Sequence, residues 1–132
     1  MTDQEFIEAF EDCSLPAANF EHSQHVRLAW LYLQRHSALD ALAKFTKGLK
    51  RFAAHNGKAG LYHETITWSY IFLIHERIAR TEGAQDWDTF VRENTDLFSW
   101  KPGILNAYYR EETLASDLAR KIFVFPDKHN HQ

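Results

Sequence analysis

A chain of 132 residues is the usual size of one domain, and with 45% hydrophobic and 14% aromatic residues it has ample material for a core, so disorder is excluded except at its ends. A formal charge of -3 with neutral histidines argues against a general nucleic-acid binder. The single cysteine, Cys13, rules out an intramolecular disulfide and a thiolate-rich zinc or iron-sulfur site, so any metal must be held by His, Asp and Glu.

Thr2-Asp3-Gln4-Glu5 has the form of a capping box, and Phe6, Ile7 and Phe10 follow at helical spacing. A first helix is expected from residue 3 to Asp12. The same start, MTDQEFIEAF, is acidic and lacks the basic end and apolar run of a secretory signal, which makes the cytoplasm the expected location. Ser14-Leu15-Pro16 ends this helix. A second runs from His22 to Arg35 with Val26, Ala29, Trp30 and Leu33 on one face, broadened by Leu28, Leu31 and Tyr32 into a mostly buried element.

Ser37-Ala38-Leu39-Asp40 restarts the chain, and Leu42, Phe45, Leu49, Phe52 and Asn56 recur at three- and four-residue steps, so the third helix is amphipathic. Its opposite stripe of Lys44, Lys47 and Arg51 reads as a solvated face, and Gly57 and Gly60 mark the next turn. Residues 62–81 are apolar nearly all round in their middle and stop before Gly83, giving a central fourth helix. Its run IFLI at 71–74 meets His75, Glu76 and Arg77 far short of the ~20 residues a membrane span needs. Asp86 opens a fifth helix with Trp87, Phe90, Val91, Asn94 and Phe98 on one side. Pro102 introduces a short turn or helix through Tyr109, and a further short helix is expected over 116–122.

No useful alternating pattern and no fixed-period repeat occur, so the expected fold is all-α: a compact single-domain helical bundle of about five main helices plus short C-terminal helices. The domain is placed at 1–126, with the second and fourth helices central, and 127–132 is read as a flexible polar tail.

The eight histidines separate by position. His36 and His55 fall near helix C-termini, where an imidazole complements the dipole. His129 and His131 lie in the polar tail, and His75 reads as a core imidazole or a surface polar contact. His22 and His25 differ by three residues, so on a helix they project within about 60° of each other and about 4.5 Å apart along the axis. Taken alone, that pair is better read as a helix start and a packed ring.

His63 changes the weighing, because it opens the fourth helix as the pair opens the second. If the two starts meet, His22, His25 and His63 can hold one divalent transition metal: three imidazoles and a water suit zinc, and two imidazoles with a carboxylate suit iron. Glu64 points about 100° away from His63 on a helix, which favours a general base over a fourth ligand. Thr67 lies one turn beyond His63 and can bond a ligand or bound water. Arg27 can steer an anionic substrate, although a surface ion pair with a carboxylate such as Glu21 serves equally well. Tyr109 can bond a substrate or act as a buried structural phenol.

The segments HSQHVRLAWLYL, GLYHETIT and AYYREETLASDLARKIFVFPD together resemble an uncharacterised family of small bacterial all-helical proteins with HxxHxRxAW and YHET motifs and a Y-Y...F-V-x-P-D ending. The similarity spans nearly the whole chain. It implies a shared fold and groups His22, His25, Arg27, Trp30, His63, Glu64, Thr65 and Tyr109 as motif positions, but brings no activity with it. This chain departs from the pattern at Glu21, where relatives have a capping Thr, and at Leu114-Ala115-Ser116-Asp117, which lacks a Pro after Ser116.

The expected function is therefore a small helical metal-binding protein, with catalysis on a small molecule through Glu64 left open: zinc would lower the pKa of a bound water, and iron would permit oxygen activation. The rival is a noncatalytic helical binding or interaction protein, with a buried His/Glu polar network and surface aromatics available for homodimerisation. A bundle that holds an apolar small molecule among its aromatics is the third reading. Neither a nucleic acid nor a membrane is an expected partner, and no phosphate loop, dinucleotide turn or nucleophile elbow occurs. Cys13, beside Asp12 at the end of an acidic helix, is not set up as a nucleophile.

Overall fold

Thr2, Ser37, Asp86 and Ser116 each accept a hydrogen bond from the backbone N–H three residues on, so four helices begin where a side chain can satisfy an otherwise free donor. In the computed structural model, which describes residues 1–100 and 103–128, the helices are α1 (Asp3–Glu11), α2 (His22–Arg35), α3 (Ala38–His55), α4 (Glu64–Arg80), α5 (Trp87–Glu93), α6 (Glu111–Leu114) and α7 (Asp117–Lys121). Short 3-10 turns lie between them, and no strand occurs among the described residues. The fold is all-α, as expected. No helix among the described residues is long and apolar enough to cross a membrane. The chain divides into two units, residues 1–62 and residues 63–132.

The first unit consists of α1, α2 and α3. The capping box at α1 is complete, with Glu5 N–H on Thr2 Oγ1 at 3.1 Å and Thr2 N–H on Glu5 Oε1 at 2.7 Å. After α1 the chain turns through Cys13, whose φ of 63° is the left-handed conformation that non-glycine residues seldom adopt. Phe10, Phe20 and Phe52 meet with ring centroids 5.0–5.6 Å apart. Gly48 lets α3 come up against Phe10: a Cβ there would lie 2.4 Å from Phe10 Cε2. Polar ties close the margins, with Tyr32 donating to Glu11 at 2.6 Å and Arg51 to the Glu11 carbonyl at 3.2 Å.

The second unit consists of α4 to α7 and an extended C-terminal segment. α5 is shorter than its apolar spacing implies. Asn94 leaves the helical conformation at φ -135° and ψ 45°, and its amide donates to the Phe90 carbonyl while its oxygen accepts from Arg77. Arg77 also forms a two-pronged ion pair with Asp96, so the break is held by a buried amide and a charged fork. Packing against the residues after Asn94 thus overrides simple continuation of the helix.

Beyond α7, which Ile122 N–H closes on the Leu118 carbonyl, residues 122–128 run on as a strap outside any helix. Thr65 Oγ1 donates to the Ile122 carbonyl at 2.8 Å and accepts from Val124 N–H at 3.0 Å. Tyr109 donates to the Val124 carbonyl at 2.6 Å. Asp127, expected in the free tail, accepts from Arg110 N–H and Thr113 Oγ1, and Lys128 N–H donates to the Tyr108 carbonyl. The chain is therefore tied down through Lys128. The short helix expected between Pro102 and Tyr109 is the 3-10 turn Ile104–Ala107; Pro102 itself and the tail histidines His129 and His131 lie outside the described residues.

Candidate functional site

The motif residues fall in both units, His22, His25 and Arg27 in the first and His63, Glu64, Thr67 and Tyr109 in the second. α2 starts at His22, and its N-cap Glu21 makes no side-chain cap bond. His25 packs on Phe20 at a ring-centroid distance of 4.1 Å and hydrogen-bonds the Phe20 backbone. Its pKa is pushed down to about 4, chiefly by loss of water around the ring and secondly by the charge of His22 nearby. His22 and His25 both lie in the first turn of α2, at i and i+3. Arg27 forms an ion pair with Asp3 rather than Glu21 and lies 5.7 Å from the Phe6 ring centroid.

His63 is not the first residue of α4 but its N-cap. Its Nδ1 accepts from Ile66 N–H at 3.1 Å, which places the ring proton on Nε2, and Nε2 donates to the Leu114 carbonyl at 2.7 Å. Burial depresses its pKa, against the raising effect of the Leu114 bond, so the neutral ring is the working form. Both nitrogens are thus engaged with the backbone, and a metal on His63 must first displace one of those bonds. Glu64 opens the first turn of α4, where its charge complements the helix dipole. Thr67 donates back to the His63 carbonyl at 2.8 Å. Tyr109 is a buried phenol tied to the strap. Among the described residues, no group of three or more His, Cys, Asp or Glu side chains is arranged to hold a metal ion.

A different feature of the second unit is open to solvent, and of the motif positions only Tyr109 reaches it. Ser69, Phe72, Leu73 and Glu76, spaced i, i+3, i+4 and i+7 along α4, form one wall of a cleft of about 160 Å³. Leu105, Tyr108 and Tyr109 form a second wall, and Phe123 and Pro126 of the strap close it. Phe123 stacks on Trp68 at 5.6 Å and meets Phe72 edge-on at 5.8 Å. Phe72 is 40% exposed, Tyr108 39% and Phe125 80%, so this aromatic surface faces solvent. Since Tyr109 gives its proton to Val124, Ser69 is the donor in the 3.4 Å contact between the two hydroxyls. The stripe on α4 follows helical spacing, but its partners come from two separate later segments.

Compared with family models, with curated proteins and with solved structures, the chain matches none.

Proposed function

We propose that this chain is a noncatalytic helical binding protein whose second unit takes a small, apolar-bodied molecule into the cleft between α4, the Leu105–Tyr109 stretch and the strap. The observation that carries this reading is the cleft itself: rings and aliphatic groups line an opening of about 160 Å³, and the Ser69 and Tyr109 hydroxyls in it are already bonded to each other and to the strap. An opening of that volume is comparable to the ~150 Å³ apolar cavity that accepts benzene. Toluene is the direct probe. It should shift the ring resonances of Phe72 and Phe123, and Leu73→Trp, which fills the cleft, should abolish the shifts. Equal shifts in the parent and in Leu73→Trp would place the probe elsewhere and end this reading.

A second reading keeps a divalent transition metal, zinc or iron, on the His22–His25 pair of α2. It is supported by the i, i+3 placement of the two imidazoles in the first turn of one helix, which puts them on neighbouring positions of its surface. A metal bound to the native fold raises the unfolding midpoint, by an amount set by its affinity and concentration. Zinc or iron(II) should raise the midpoint of the parent but not of His25→Ala; no shift with either ion ends the metal reading, including any role for His63 as ligand and Glu64 as base.

A further inference from the structure

The chemistry of the cleft goes beyond apolar binding. Four aromatic rings, those of Phe72, Tyr108, Tyr109 and Phe123, line it, and aromatic faces carry the negative end of a quadrupole. Among the described residues its charged lining residue is Glu76, a carboxylate, and no described Lys, Arg or His lines it. Arg80 pairs with Glu76 at 2.8 Å, but both side chains are more than half exposed, and such an i, i+4 surface pair contributes little and leaves the carboxylate open to a second cation. The sequence also distributes its charge unevenly. Residues 63–132 hold eleven Asp and Glu against eight Lys and Arg, while residues 1–62 hold seven of each, so the whole formal charge of -3 belongs to the unit with the cleft.

A ligand cation bearing N–H donors would ask for several acceptors. Ser69 and Tyr109 are already occupied with each other and with Val124, leaving Glu76 as the charged acceptor. A cation wrapped in methyl groups needs no hydrogen bonds: its alkyl shell satisfies the apolar walls, its charge meets the ring faces, and Glu76 balances it from the side. Resting on the cleft-binding reading above, we propose that the preferred occupant is a small quaternary ammonium compound.

The test compares choline with 3,3-dimethylbutan-1-ol, which has the same shape with carbon in place of the charged nitrogen. Choline should bind at least tenfold more tightly by calorimetry, with ring shifts at Phe72, Tyr108 and Phe123. Glu76→Gln, at an exposed position, should weaken choline several-fold and leave the neutral compound unchanged. Equal or tighter binding of the neutral compound overturns the proposal, as does a Glu76→Gln protein that binds choline as the parent does. Toluene separates the two levels: a protein that binds toluene without preferring choline loses only this inference, whereas one that binds none of the three probes loses the cleft reading too.

Discussion

His63 Nε2 lies 2.7 Å from the carbonyl oxygen of Leu114, a residue 51 positions further along the chain. The same ring caps α4 through Nδ1, so one imidazole fixes both the start of the longest helix of the second unit and the end of α6. This double use requires a neutral ring with a defined tautomer, which burial enforces. Ligation and capping compete for the same lone pair on Nδ1.

Substitution of His63 should therefore act on stability. In His63→Ala the cap is lost, the Leu114 carbonyl loses its partner and a buried ring leaves a void, for a total of about 2–3 kcal/mol. His63→Asn restores a cap oxygen without reaching Leu114, and should recover about 1 kcal/mol. Urea unfolding of the three proteins measures the series. An Asn variant no more stable than the Ala variant would remove the cap from this account.

The starts of the helices were legible because each depends on a local pattern: Thr2 with Glu5, Ser37, Asp86 and the turn before residue 117 all precede helices as expected. The i, i+3 placement of His22 and His25 is equally local, and the electrostatic effect of one on the other follows from it. The two roles of His63 were not distinguishable, since a helix start preceded by His fits a cap and a ligand alike. The strap and its cleft were hidden for a different reason. Thr65 and Val124 are joined by side-chain bonding across 59 residues, and an extended segment pinned that way has no periodicity to betray it. Asn94 similarly ends α5 through contacts with Arg77, far away in the sequence.

Acid should destabilise the protein through His25. Its folded pKa of about 4 lies below the ordinary histidine value of 6.5, so its contribution is fully present above pH 6.5 and is lost as the pH falls from 6.5 toward 4. The depressed pKa of His63 acts in the same direction. From His25 alone, stability at pH 5 should be about 2 kcal/mol lower than at pH 7. Urea midpoints across this range, with His25→Leu as the comparison, provide the measurement. A slope unchanged in His25→Leu would assign the acid sensitivity to other groups.

Gly48→Ala should destabilise the first unit even though alanine is the better helix former. The helical gain is about 1 kcal/mol. Against it, the new methyl falls 2.4 Å from Cε2 and 2.8 Å from Cζ of Phe10, whose ring is fully buried and packed against Phe20 and Phe52. Overpacking of this kind costs about 1–3 kcal/mol, and a confined ring leaves the net effect unfavourable. Adding Phe10→Leu should make the Gly48 substitution less harmful than it is in the parent, a coupling that a double-mutant cycle reads directly. Additive losses would show that the ring is not the obstacle.

Thr65→Val tests whether the strap builds the cleft. The Thr65 side chain is buried and nearly the shape of valine, so the change removes a hydroxyl while leaving the volume almost intact. That hydroxyl bonds the strap twice, donating to Ile122 and accepting from Val124, and its loss should destabilise the protein by about 1–3 kcal/mol. The more specific readout is local. Val124 N–H has Thr65 as its acceptor, so its hydrogen exchange should speed up by more than that of amides in the middle of α4. Phe123 lies between the two strap residues held by Thr65 and contributes its ring to the cleft, so binding of toluene should weaken in the same variant. Thr65→Ser, which retains the hydroxyl, should keep both Val124 protection and toluene binding closer to the parent. If Thr65→Val binds toluene as tightly as the parent while Val124 exchanges freely, the strap is dispensable and the α4 stripe with Leu105 and Tyr108 must suffice for the cleft.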